Sequence, residues 1–292
     1  MIAVVVAACS SKPSTAPDAA GDAGADAPVD LSTVDELVAA CEVDAACDIV
    51  RGSDKGVNDC LKYFAEGRGL LTPQQIRCMA TAGANCDQAR ACVGETLVAP
   101  SSCTANSCDG TRASLCGFGL QLIEDCTQLI GEPPGVTCLD NAGTVKCSLG
   151  TCAAGDADSC DGTIGKRCNA PFVDATDCAA LGLVCQVISG TAECTGDGAA
   201  CTVDRRDAVA IYDCRTGFEH RVECATAIPG TSPQMDPTSS RSFCGFATDC
   251  LPWMASVQCS GATTLSVCAF GAVRDLDCTS LGFAGCSVAR CQ

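Results

Sequence analysis

Apolar residues open the chain in one unbroken run at positions 2–8 (IAVVVAA) and then nearly vanish through residues 10–30. Seven apolar residues cannot cross a bilayer, which needs about 20. The run reads as the tail of a signal-peptide hydrophobic region. From residue 31 the pattern becomes helical. Ser32 or Thr33 can cap a first helix, with Asp35 or Glu36 completing the box, and Val34, Leu37, Val38 and Cys41 share one face. Val57, Cys60, Leu61 and Phe64 repeat that spacing. Thr72-Pro73-Gln74-Gln75 starts a third helix, with Ile76, Met79 and Ala80 on its apolar face, and Asn85 caps a short fourth that Gly94 ends.

Beyond residue 98 the period changes to that of short strands and recurs about every fifty residues. Cys108-Asp-Gly-Thr is matched by Cys160-Asp-Gly-Thr, and Cys259-Ser-Gly follows the same opening. Each segment reaches a cysteine (Cys116, Cys168, Cys214, Cys268) that is followed ten residues later by another (Cys126, Cys178, Cys224, Cys278). An acid always precedes the later one: Asp125, Asp177, Glu223, Asp277. A turn residue lies three positions after the earlier one: Gly119, Pro171, Gly217, Gly271. Each interval therefore reads as a β-hairpin. A second hairpin follows in the first two repeats, as at residues 183–195 about Ser189-Gly190. Such units cannot bury a core singly, so neighbours should stack or bead together.

Composition changes what can hold these elements together. The 292 residues include 29 Cys, with only one Trp, two Tyr and eight Phe. A core this poor in large side chains needs covalent links, as in small exported scaffolds. Metal is the rival use of cysteine. No C-x-x-C occurs and His220 is the only histidine, so zinc and iron–sulfur spacing is missing. The fold class expected is small disulfide-rich modules: an α-helical, Cys-stapled N-terminal module, then four short all-β hairpin repeats. The boundaries are 1–9 for a signal remnant, 10–30 for a disordered tether, 31–98 for the helical module, and 103–151, 152–200, 201–249 and 250–292 for the repeats.

Val6-Ala7-Ala8-Cys9 resembles the bacterial lipobox, in which small residues precede a cysteine that is diacylated and becomes the mature N-terminus. Removing Cys9 leaves an even 28 cysteines, and a Pro/Ala/Gly/Asp spacer follows it. No Lys or Arg precedes the run, so the true start is expected upstream. The alternative is a cleaved, non-lipid signal with an odd thiol.

Parity also bears on pairing. Repeats one and two each have six cysteines, and repeat four can take six from Cys250 to Cys291. Repeat three then keeps Cys201, Cys214, Cys224 and Cys244, with Arg206 at the second position and the sixth cysteine missing. Second-to-sixth pairing follows: Cys108–Cys147, Cys160–Cys194, Cys259–Cys291. Two alternatives stay open: a cross-strand Cys185–Cys194 bond, and Cys250 closing repeat three instead.

The motif C-D-G-T…C-x-x-G-x(6)-D-C-x-x-L-G…C resembles the Cys-rich repeats of predicted lipoproteins from myxobacterium-like bacteria, over residues 103–292. That resemblance implies an envelope location and no particular activity. The spacing C-x-x-G-x(6)-C, at Cys116…Cys126 and Cys268…Cys278, is also similar to that of peritrophin-type chitin-binding domains, which carry a second-to-sixth bridge.

Candidate chemistry is sparse. One Phe accompanies each hairpin turn (Phe118, Phe172, Phe218, Phe270), and a row of exposed aromatics could stack on sugar rings; packing between repeats is the alternative use. Trp253 has the same two readings. Asp156, Asp158 and Asp161 could hold a weak Ca²⁺, although no Glu closes the site. His220 sits on an expected exposed strand with no nucleophile motif near it. With 35 acidic against 18 basic residues, no nucleic-acid partner is expected. The expectation is an exported, non-catalytic envelope protein without cofactor, catalytic residue or metal. It would be lipid-anchored to the outer membrane through Cys9, on its periplasmic or surface side, with a structural or adhesive role. The alternative is carbohydrate binding through the four Phe; a polysaccharide or another envelope protein is the expected partner.

Overall fold

The computed structural model describes residues 33–49, 56–67, 69, 71–99, 101–117, 119–129, 132–214, 216–254 and 257–292. Cys9 and the 10–30 spacer lie outside them. Three of the four N-terminal helices begin where the capping residues stand; the second follows Gly56 without a side-chain cap. In α1 (Val34–Cys47) the Thr33 side chain accepts the Glu36 N–H (3.2 Å), and the Glu36 carboxylate accepts the Thr33 N–H (2.9 Å). Thr72 and Gln75 make the same reciprocal pair at α3 (Pro73–Ala82), with Pro73 in its first turn. Between them lies α2 (Val57–Ala65), and α4 (Cys86–Ala91) is capped by Asn85. Helices this short are marginal alone. Three disulfides join them: Cys41–Cys60, Cys47–Cys86 and Cys78–Cys92.

Residues 95–98, read above as part of the helical module, form β1 (Glu95–Val98), which pairs antiparallel with a strand of repeat one. Every repeat is a three-stranded meander followed by a separate hairpin. Repeat one has β2 (Ser107–Asp109), β3 (Arg112–Gly117), β4 (Leu120–Asp125), β5 (Thr137–Asn141) and β6 (Thr144–Ser148). Repeat two has β7 (Ser159–Asp161), β8 (Ile164–Asn169), β9 (Phe172–Asp177), β10 (Val184–Ile188) and β11 (Thr191–Thr195). Repeat three has β12 (Arg205–Arg206), β13 (Ala210–Asp213) and β14 (His220–Glu223), one helical turn at α5 (Cys224–Ala227), then β15 (Ser232–Met235) and β16 (Ser242–Gly245). Repeat four has β17 (Gln258–Cys259), β18 (Thr264–Ala269), β19 (Ala272–Asp277), β20 (Cys286–Ser287) and β21 (Arg290–Cys291). The second hairpin is thus present in all four repeats, not only in the first two.

The repeated sequence signals have structural work. Asp-Gly-Thr turns the chain from β2 to β3 and from β7 to β8, with Gly110 and Gly162 at φ +59° and +60°. The carbonyl of the residue after this turn (Thr111, Thr163, Val209 or Thr263) accepts the N–H of the cysteine that follows the meander, at 2.8–3.2 Å in all four repeats. In repeats one, two and four the acid before that cysteine caps the next turn, whereas Glu223 of repeat three pairs with Arg221 instead. Asp125, Asp177 and Asp277 accept the N–H of Thr127, Ala179 and Thr279 at 3.0–3.1 Å. The residue three after the third cysteine closes the edge: the carbonyls of Pro171, Gly217 and Gly271 accept the N–H of the first cysteine of their own repeats.

The disulfide pattern corrects the pairing expected from parity. Each full repeat joins its first cysteine to its third, second to fifth and fourth to sixth. Cys108 pairs with Cys138, not Cys147; Cys160 with Cys185, not Cys194; Cys259 with Cys286, not Cys291. The sixth cysteines instead meet the fourth, as Cys126–Cys147, Cys178–Cys194 and Cys278–Cys291. The register explains this. Fifth and sixth cysteines stand directly opposite on the second hairpin, Cys138 facing Cys147, Cys185 facing Cys194 and Cys286 facing Cys291. Rather than bond to each other, each reaches the meander beneath, one to its first strand and one to its end. Both strands of the hairpin are thereby clamped, and Cys185–Cys194 is excluded as well. Cys250 pairs with Cys268 and belongs to repeat four.

Repeat three keeps Cys201–Cys214 and Cys224–Cys244. Cys244 faces Pro233 across β15 and β16, so Cys244 is the sixth position and Pro233 occupies the fifth. The lost bridge is therefore second-to-fifth. Its place is taken by a hydrogen bond between the same two positions, Arg206 Nη1 donating to the Pro233 carbonyl at 2.7 Å. Non-reducing peptide mapping should recover Cys160 linked to Cys185 and Cys178 linked to Cys194. A Cys160–Cys194 peptide would contradict the structure.

The repeats are not a rod leading away from the helices. Leu37, Val43, Leu61 and Met79 share one buried core with Ile211, Phe243, Leu265 and Phe270 of repeats three and four. A second core joins repeats one and two around Val136, Val145 and Ala175. Long-range polar contacts close the circuit. The Cys291 N–H donates to Glu42 Oε1 (2.6 Å), the Ala84 N–H to the Leu281 carbonyl (2.7 Å), and Arg241 pairs with Glu66. Gly83 permits the approach: a Cβ there would lie 2.3 Å from the Leu281 oxygen, and its φ is +53°.

Candidate functional site

The phenylalanine row does not exist as a surface. Phe172 is 4% exposed and Phe270 is fully buried. Phe218 is half-buried, and Phe118 lies outside the described residues. Phe270 stands at the β18–β19 turn, but that turn is covered by repeat three, whose Phe246 meets it edge-on at 6.4 Å. In a chain this poor in aromatics, burial in the core claims them first. Trp253 likewise packs edge-on against the buried Phe243 (5.4 Å), under the Arg241 guanidinium.

The other candidates are also structural. His220, expected on an exposed strand, is buried on β14. Asp158 accepts the Cys168 N–H (3.0 Å) with one oxygen and the Ala192 N–H (3.3 Å) with the other. Asn106 and Asp204 do the same for Cys116 (2.8 Å) and Cys214 (2.9 Å), so this side chain is a repeated brace. Asp156 accepts the Ala153 N–H, and Asp161 is paired with Lys166, which holds its carboxyl below the usual range. Among the described residues no group of three or more His, Cys, Asp or Glu is placed to hold a metal ion.

A cleft of about 700 Å³ was not foreseen from the sequence. Its walls come from three parts of the fold: Tyr63 on α2, Arg167, Asp174, Leu183 and Glu193 of repeat two, and Thr216 of repeat three. The clamped hairpin makes its floor, with Gly165 and Ala192 buried beside Cys194. Arg167 and Asp174 face each other across β8 and β9. Arg167 Nε donates to the Ala192 carbonyl (2.6 Å), which fixes the guanidinium at the rim. Asp174 pairs with Lys146 and accepts the Asn169 amide (3.3 Å). Tyr63 is 37% exposed, and the Glu193 side chain makes no hydrogen bond or ion pair among the described residues. The available signal for Tyr63 was its place off the apolar face of α2, where an aromatic gains nothing from the core.

Outside the cleft, shifted carboxyls mark structural joints. Asp207 is held down at about 2 by the N–H groups of Val209 and Ala210 and by the Tyr212 hydroxyl. Glu42 is pushed up to about 7 by burial, against the Cys291 N–H and the Arg290 charge, which favour its ionised form. Among the described residues no helix is long and apolar enough to cross a membrane. Fourteen disulfides place the folding of this chain outside the reducing cytosol, in a periplasmic or extracellular setting. Compared with known family models, curated proteins and solved structures, the chain matches none.

Proposed function

We propose that this chain is a non-catalytic envelope lipoprotein, anchored through Cys9 and serving as a rigid structural or adhesive component at the outer membrane. The observation that carries the reading is the use of cysteine. The bridges consume every cysteine from Cys41 to Cys291, and the one that remains, Cys9, sits in Val6-Ala7-Ala8-Cys9 ahead of a spacer poor in large apolar residues. A non-catalytic role is supported by the titratable groups. The only histidine is buried, and the carboxyls with shifted values cap turns, pair with neighbouring cations or close the fold. Stability is what such bridging confers: each short loop closed lowers the entropy of the denatured chain, worth about 3 kcal/mol in the chain-entropy model. Labelling cells with a fatty-acid analogue should mark the protein, and Cys9→Ser should abolish the label and release an unanchored product. Label that persists on the Cys9→Ser protein rules the anchor out.

A further inference from the structure

We propose that the cleft walled by Tyr63, Arg167, Asp174 and Glu193 binds a short stretch of neutral saccharide chain. This goes beyond the structural reading and does not depend on the anchor. A sugar ring has an apolar C–H face and a rim of adjacent hydroxyls. The cleft offers a counterpart to each. Tyr63 and the largely buried Leu183 both line it with apolar surface, and an aromatic ring is the side chain best suited to a C–H face. Arg167, Asp174 and Glu193 are planar groups: the guanidinium, its Nε held by the Ala192 carbonyl, donates through its Nη groups, and the carboxylates accept, Glu193 with both oxygens and Asp174 alongside its bonds to Lys146 and Asn169.

The charge balance selects against other ligands. The lining sets Arg167 against Asp174 and Glu193, and Lys146, paired with Asp174 from beyond the lining, offsets the second acid, so the local charge is close to neutral while the whole chain carries −17. An anion would be repelled by the carboxylates, and a cation would compete with Lys146 for Asp174. A wholly apolar ligand would leave the rim groups stripped of water without partners. Polar but uncharged chemistry satisfies all of them. The volume of about 700 Å³ lies in the range of small-molecule sites. The floor is preformed, because Cys160–Cys185 and Cys178–Cys194 fix the hairpin on its meander, so little ordering opposes binding.

The test titrates the full oxidised chain with maltohexaose, cellohexaose, xylohexaose and hexa-N-acetylchitohexaose by calorimetry. One of them should bind. Tyr63→Ala should weaken that binding about tenfold or more, Tyr63→Phe should retain it, and Glu193→Gln should weaken it severalfold. Phe218→Ala should change nothing. Glu193→Gln is an uncrowded rim substitution, so it reports even where Tyr63→Ala lowers the yield of folded protein. Absence of binding by all four sugars, or binding that survives both Tyr63→Ala and Glu193→Gln, overturns the proposal.

Discussion

Replacing exposed Arg206 and buried Pro233 together by cysteine should add a fifteenth disulfide and raise stability. The two positions are the second and fifth of repeat three. Their counterparts are bonded in the other repeats, with Cα–Cα distances of 5.5, 5.7 and 5.7 Å. The site already holds them in touch, through Arg206 Nη1 and the Pro233 carbonyl. A loop of this size corresponds to roughly 3.5 kcal/mol in the chain-entropy model. Loss of the Arg206 hydrogen bond subtracts about 1 kcal/mol. A net gain near 2–3 kcal/mol should appear as a higher denaturant midpoint under oxidising conditions. Both new thiols should be absent from a titration of the denatured protein. Two free thiols in a correctly folded double variant would show that repeat three departs from its siblings more than the register indicates.

Stability should also fall as pH rises through neutrality, and Glu42 is the reason. Its folded value, about 7, lies above the ordinary 4.5, so the folded state binds the proton more tightly than the unfolded chain. The contribution is complete below about pH 4.5 and is lost as pH climbs through 7, with an upper bound of about 3 kcal/mol. Burial is the main cause, because a carboxylate there exchanges water for one N–H and the charge of Arg290. Glu42→Gln keeps an acceptor for the Cys291 N–H and removes the charge. The variant should match the parent at pH 5 and exceed it at pH 8, when unfolding is followed in denaturant. Hydrogen exchange at the Cys291 amide should show the same crossover locally. Parallel pH profiles for the two proteins would acquit Glu42. Asp207 works in the opposite sense, losing its stabilising role only as pH falls toward its depressed value.

What could be read from the sequence was what is encoded within a few residues. Thr33, Thr72 and Asn85 begin helices because their side chains satisfy N–H groups three residues on, a relation visible in the letters. The ten-residue cysteine interval was legible as a hairpin for the same reason. Pairing was not. Parity correctly told that repeat three had lost a complete bridge, but it counts partners without naming them. Pro233 is no cysteine and carries no mark of its position until β15 and β16 are aligned. The phenylalanines misled because spacing reports that they recur, whereas burial depends on what covers the turn. Neither the shared core nor the cleft had a local signal: Glu42 and Cys291 are 249 residues apart, and Tyr63 meets repeat two only because the chain returns.

That return has a consequence for how such a protein can change. An open array of repeats gains or sheds a unit at its end, and the remaining units keep their neighbours. Here the last repeat is the lid of the helical module: β21 rests on α1, and the apolar sides of α1 and α2 are finished by side chains from repeats three and four. Duplicating one unit would carry the C-terminus past its seat, and deleting one would leave it short. Copy number is therefore locked by geometry, and divergence is confined to exchanges inside a unit, of which Arg206 and Pro233 for two cysteines are the example preserved in this chain.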